Sequence, residues 1–192
     1  NGYQGISQPD TNTNLFFDSY YIIVEDQLGC RVVDSVFISE PDILETEATK
    51  VAHVTCFGFA NGIATAIGIG GTTPYTFVWD SIQTGDTAFN LTPGVHTVVV
   101  TDAKGCIATD TVVITQPYEL IVNIIDSLTI LPYCTGVNSA SLTAVASGGT
   151  PNYTYQWDDN NIIPQTTATA TALFAGIYTI TVTDDRGCIA TD

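Results

Sequence analysis

A chain of 192 residues is long enough for one or two ordinary domains, and its 45 % hydrophobic content can supply a packed core. Its only basic residues are Arg31, Lys50, Lys104 and Arg186, and the net charge is −16, which excludes nucleic acid as a partner: phosphate is repelled and no basic stripe offsets it. No apolar run approaches the roughly 20 residues that a membrane helix needs, so membrane insertion is not expected.

The first element in chain order follows Leu15-x-x-Asp18, where Tyr20, Ile22 and Val24 alternate with their neighbours. That period of two predicts a strand with one buried face. Asp26-Gln27-Leu28-Gly29 then predicts a type I turn closed by a left-handed glycine, and the returning strand carries Val36 and Ile38. Pro41 marks a boundary. Cys56-Phe57-Gly58 stands early in the next unit, and the block Gly70 to Trp79 places Trp79 within a strand. Leu91-x-x-Gly94-x-His96 leads into His96, Val98 and Val100, a turn at Asp102 to Gly105, Cys106, and a strand with Val112 and Ile114. After Pro117 the order repeats: Cys134, Gly148 to Trp157, Leu173-x-x-Gly176-x-Tyr178, Ile180, Val182, the turn Asp184 to Gly187, and Cys188.

Several blocks in one fixed order define an internal repeat. Residues 1–42 are expected to be the C-terminal half of one repeat, 43–117 a complete one, and 118–192 one lacking its last strand. Both ends of the chain are thus expected to be cuts through something longer. Short strands with dense turn signals predict an all-β fold of tandem immunoglobulin-like β-sandwich modules arranged end to end. Trp79 and Trp157 are the expected core anchors between sheets.

Cys56-Phe57-Gly58 with Asn61-Gly62, the Gly-Gly-Thr block that ends at Trp79, and Val100-Thr101-Asp102 with Gly105-Cys106 and Thr109-Asp110 resemble the SprB repeat. The third unit departs from it at Cys134-Thr135-Gly136. The resemblance implies a PKD/SprB-like sandwich from large surface adhesins of gliding bacteria, exported by type IX secretion. It implies an extracellular or cell-surface location and a role in attachment.

Five cysteines follow the repeat: early ones at Cys56 and Cys134, late ones at Cys30, Cys106 and Cys188. One disulfide per module is expected, Cys56–Cys106 and Cys134–Cys188, with Cys30 unpaired. A strict immunoglobulin topology puts the early loop and the last hairpin at opposite ends, so this pairing requires a variant topology. Buried reduced thiols are the alternative.

Catalysis is not expected. Only His53 and His96 could act as histidine bases, and His96 stands in the slot of Tyr20 and Tyr178, a core or corner position. No nucleophile elbow, phosphate loop or zinc spacing is present. Asp26, Asp102 and Asp184 start the hairpin turns, while Asp34, Asp110 and Asp192 fall in phase with buried positions. Turn capping or an outward bulge accounts for them, with Ca²⁺ the alternative and no other cofactor expected. Asp-Ser/Thr-apolar triplets at Ser35, Ser81, Thr87, Thr111 and Ser127 resemble an O-glycosylation motif of the same bacterial group.

The expected function is a structural or adhesive segment, a stiff stalk or extracellular fibre. The alternative is an accessory or carbohydrate-binding array of a secreted hydrolase. Expected partners are other copies of the repeat, lateral self-association into a fibre, and surface glycans or other cells bound through regions outside this chain.

Overall fold

The computed structural model describes residues 11–125, 136, 138–159 and 164–192, and all regular structure within them is β. The chain opens with an antiparallel hairpin, β1 (Asp18–Glu25) and β2 (Arg31–Ile38). Next come β3 (Glu45–Ala52), β4 (Gly62–Ile69), β5 (Thr76–Trp79), β6 (Gln83–Thr84), β7 (Thr87–Leu91), β8 (Gly94–Thr101) and β9 (Ile107–Ile114). They form two antiparallel sheets, ordered β3-β4-β7 and β6-β5-β8-β9. This is the order of an immunoglobulin-like sandwich. The following strands are β10 (Ile121–Ile124), β11 (Ala140–Ser147), β12 (Thr154–Asp158), β13 (Thr169–Leu173), β14 (Thr179–Thr183) and β15 (Ile189–Thr191). Their sheets, β10-β11-β13 and β12-β14-β15, repeat this arrangement without a counterpart of β6 among the described residues.

Alternation explains which residues face inward. In β8, His96, Val98 and Val100 are buried, and β9 adds Val112 and Ile114 from the neighbouring strand. Small residues on the opposite sheet, Ala64, Ala66 and Ala88, leave room for Trp79, which is fully buried. Trp157 is packed in the same way among Ala144, Ala170, Ile180 and Val182. Each indole N–H donates to a carbonyl, Trp79 to Gly85 at 3.1 Å and Trp157 to Thr167 at 2.9 Å. A satisfied polar edge lets the ring sit in the core at no hydrogen-bonding cost.

Hairpin β1–β2 departs from the one-buried-face expectation. Ile22 and Val24 are exposed, as are Tyr21 and Ile23 on the other face. The sheet that covers Val98 and Val100 in the middle module has no counterpart over this hairpin among the described residues.

Candidate functional site: the joint between modules

The short stretch 115–120 separates β9 from β10, and here the middle and third modules meet. The β3–β4 loop carries Cys56 and lies beside the end of β9: the Val54 amide donates to the Thr115 carbonyl at 3.0 Å, and the Gly58 amide to Gln116 Oε1 at 2.8 Å. From the other module, the β14–β15 hairpin presents Cys188. The two sulfurs are bonded, Cys56–Cys188, with Cα atoms 5.6 Å apart. Leu120 is buried with both cysteines, and Tyr153 and Ala190 pack against them. Exposed Phe57 and Phe59 border a shallow cleft of about 290 Å³ beside the bond, opposite Glu119 and Ile189.

The pairing within each module is therefore corrected. Cys56 is not joined to Cys106, which is an exposed free thiol, and Cys188 is not joined to Cys134, which lies outside the described residues. Cys30 is free and exposed. The cause is the topology, which needs no variant. Cys56 sits near Thr115, at one end of β9, while Cys106 precedes Ile107 at the other end. The nine residue steps from Cys106 to Thr115, at about 3.3 Å each, put roughly 30 Å between those ends. No disulfide spans that distance. The signal was in the sequence: an early and a late cysteine at opposite ends of one sandwich can meet only across a joint.

An aspartate shapes each cysteine-bearing hairpin. Asp184 Oδ1 accepts the amides of Arg186 at 2.9 Å and Cys188 at 2.8 Å, while Oδ2 accepts that of Thr150 at 2.7 Å. Asp102 repeats this with Lys104, Cys106 and Thr72, each at 2.8 Å. Burial works against ionisation of both, but the amides outweigh it and hold each carboxyl below the usual aspartate value. Asp26 keeps the two turn amides, those of Leu28 and Cys30, and the Cys30 amide leads in lowering its pKa.

The partner loop needs glycine. Gly70 and Gly148 have φ of 72° and 76°, and a Cβ at either would collide with the carbonyl oxygen of Ile43 or Glu119.

The second aspartate series ties strands together. Asp110 Oδ2 accepts the Ala48 amide and Asp192 Oδ2 the Ile124 amide, both at 2.7 Å, so each links the last strand of a sandwich to its first. Asp34 bonds the amide of Ser35 at 2.8 Å. These six carboxylates thus serve backbone amides. Among the described residues no three His, Cys, Asp or Glu side chains form a metal-holding group.

His96 occupies a tyrosine corner. Tyr20 and Tyr178 donate their hydroxyls to the carbonyls of Phe16 and Phe174, four residues back, and His96 Nε2 contacts the Thr92 carbonyl at 2.8 Å. Its Nδ1 lies 2.6 Å from Asp80 Oδ2. Burial would lower the His96 pKa, but the bonds to Asp80 and Thr92 and the Asp80 charge together raise it. His53 Nδ1 accepts the Thr115 amide at 3.0 Å, which gives it a structural place at the β9 end.

Of the candidate glycosylation positions, Ser35, Ser81 and Thr111 are exposed, Thr87 is half-buried, and Ser127 lies outside the described residues. Sequence reasoning missed Gln83 and Gln165. Their side-chain amides bond both backbone groups of Phe89 and of Thr171, holding the β5–β7 and β12–β13 connections in register.

Two successive immunoglobulin-like sandwiches joined by a covalent bond define a tandem-module repeat protein. Residues 48–84 and 132–161 match the SprB repeat, and the chain carries SprB-type repeats. SprB repeats occur in cell-surface proteins. No curated protein matches the chain. Among the described residues, no helix is long and apolar enough to cross a membrane.

Proposed function

We propose that the chain is a structural segment of a large secreted adhesin, a stiff stalk or extracellular fibre that mediates attachment to surfaces or other cells, with no catalysis of its own. The observation that supports this best is the Cys56–Cys188 bond across a joint of only 115–120. A bond placed there fixes the orientation of one module on the next and carries tension between them. The joint has no Gly/Ser tract, and Pro117 restricts its own backbone and that of Gln116. A net charge of −16 adds repulsion that favours extension at low salt.

Two experiments test the reading. Small-angle scattering of the oxidised chain should give an extended particle, with each sandwich contributing roughly 35–45 Å along its axis. A compact particle with the modules side by side would overturn the stalk. On producing cells, shortening the repeat array while retaining surface display should reduce attachment, and unchanged attachment would remove the adhesive role.

A further inference from the structure

The thiol of Cys106 stands on its module where Cys188 stands on the next. The two hairpins share their hydrogen bonds: Asp102 and Asp184 donate their amides to the Cys106 and Cys188 carbonyls at 3.0 and 2.9 Å. Gly105 and Gly187 donate theirs back to those aspartates at 3.1 and 3.0 Å, with φ of 85° and 82°. The floor beneath is also repeated. Leu44 is buried beside Gly71 as Leu120 is beside Gly149, and exposed Ile107 matches exposed Ile189. The difference between the two ends is occupancy. Cys188 is covered by the Cys56 loop, whereas Cys106 is exposed.

We propose that Cys106 is a covalent docking site for the early-loop cysteine of a preceding copy of the module, so that inter-module disulfides recur along the repeat array. The direction follows from the observed bond, which joins the early loop of one module to the last hairpin of the module after it. Cys106 therefore takes its partner from the module before its own, and Cys30, on a hairpin with the same turn bonds, does the same. Cys56 cannot serve Cys106, because its sulfur is already bonded.

The chemistry is ordinary thiol–disulfide exchange. A disulfide-bearing oxidoreductase is the co-reactant. The early-loop thiolate attacks one sulfur of its disulfide and releases the other as a thiolate, giving a mixed disulfide. The Cys106 thiolate attacks the early-loop sulfur and expels the second oxidoreductase thiolate. One S–S bond forms and one breaks. Two electrons, with the two thiol protons, leave the repeat and reduce the oxidoreductase to its dithiol.

An array linked this way has each module bonded to both neighbours. Repeat proteins draw their stability from nearest-neighbour interfaces, and here that interface includes a covalent bond beside Leu120, Tyr153 and Ala190. The inference rests on the geometry of the joint and not on the adhesive reading.

The test is non-reducing peptide mapping of the natural protein from the producing cells, with free thiols alkylated before digestion. The expected result is Cys106 linked to the early-loop cysteine of the preceding module, in the digest that also yields Cys56 linked to Cys188. Recovery of Cys106 in alkylated form, or linked to any other cysteine, would overturn the proposal. So would the absence of the Cys56–Cys188 peptide. In a Cys106→Ser variant, the preceding early-loop cysteine should become newly alkylated, and failure to see it also overturns the pairing.

Discussion

Cys56 and Cys188 lie 132 residues apart in the chain and are bonded across the joint of two separately cored sandwiches. Closing a loop of that length in an unfolded chain is worth about 5 kcal/mol in the chain-entropy model. Little of that reaches either module, because each folds around its own tryptophan. We expect Cys188→Ser to change the stability of either sandwich by less than about 1 kcal/mol. The joint should respond instead, with proteolysis near residues 115–120 becoming faster and the scattering profile broadening. Loss of the tryptophan circular-dichroism signal in the variant would contradict this.

Asp184 satisfies three amides, those of Thr150, Arg186 and Cys188, at a buried position. Replacing it by alanine leaves those donors short of a partner and should cost the third module about 2 kcal/mol or more. Its depressed pKa also sets a pH dependence. A carboxyl lowered on folding stabilises fully above its ordinary value of 3.8, and the stabilisation is lost as pH falls through the folded value. Acid titration of the alanine variant should show a weaker loss than the parent. Because amides hold these carboxylates, a chelator should leave the parent's melting temperature unchanged; a fall restored by Ca²⁺ would point to metal.

His96 makes the middle module alone respond near neutral pH. A histidine whose pKa is raised on folding stabilises fully below its ordinary value of 6.5, and the contribution disappears as pH rises through the higher folded value. The middle module should thus lose stability on going alkaline across that window, while the third, with Tyr178 at the corner, should not. His96→Tyr should flatten the profile. An unchanged slope in that variant would assign the dependence to another group.

Much of this architecture was legible because it depends on local chemistry. Alternation at Val98 and Val100, the turn aspartates Asp102 and Asp184, and the corner at His96 follow from contacts within a few residues or one strand pair. The partner of Cys188 was legible only in part, because recurrence of an early and a late cysteine in each unit fits pairing within a module as well as pairing between neighbours. Only the length of β9, which separates Cys56 from Cys106, decides between them. The clamp from Asp110 to Ala48 escaped for the same reason: the phase of Asp110 marked it as inward, but nothing in the sequence named the amide it meets.

The β4–β7 and β11–β13 pairings each shift register by a bulge, at Gly62/Ala64 and at Ala140/Leu142. Opposite those shifts, Asn90 and Ala172 take left-handed backbone conformations, with φ of 55° and 53°. The two bulges are equivalent but their residues are not. Asparagine tolerates this region, whereas alanine places its Cβ against the following carbonyl at a cost of about 1–2 kcal/mol. Nothing about Ala172 repays that cost through burial, since its side chain is exposed. Ala172→Asn, which copies the middle module, and Ala172→Gly should therefore each stabilise the third sandwich. Glycine recovers less than the full strain, because it loses more chain entropy on folding, so a gain of about 0.5–1 kcal/mol is expected for it. Denaturant unfolding followed through Trp157, in a background with Trp79→Phe to isolate the signal, measures the difference. A destabilised glycine variant would show that Ala172 is not strained and that the bulge is held by the Cβ contact instead.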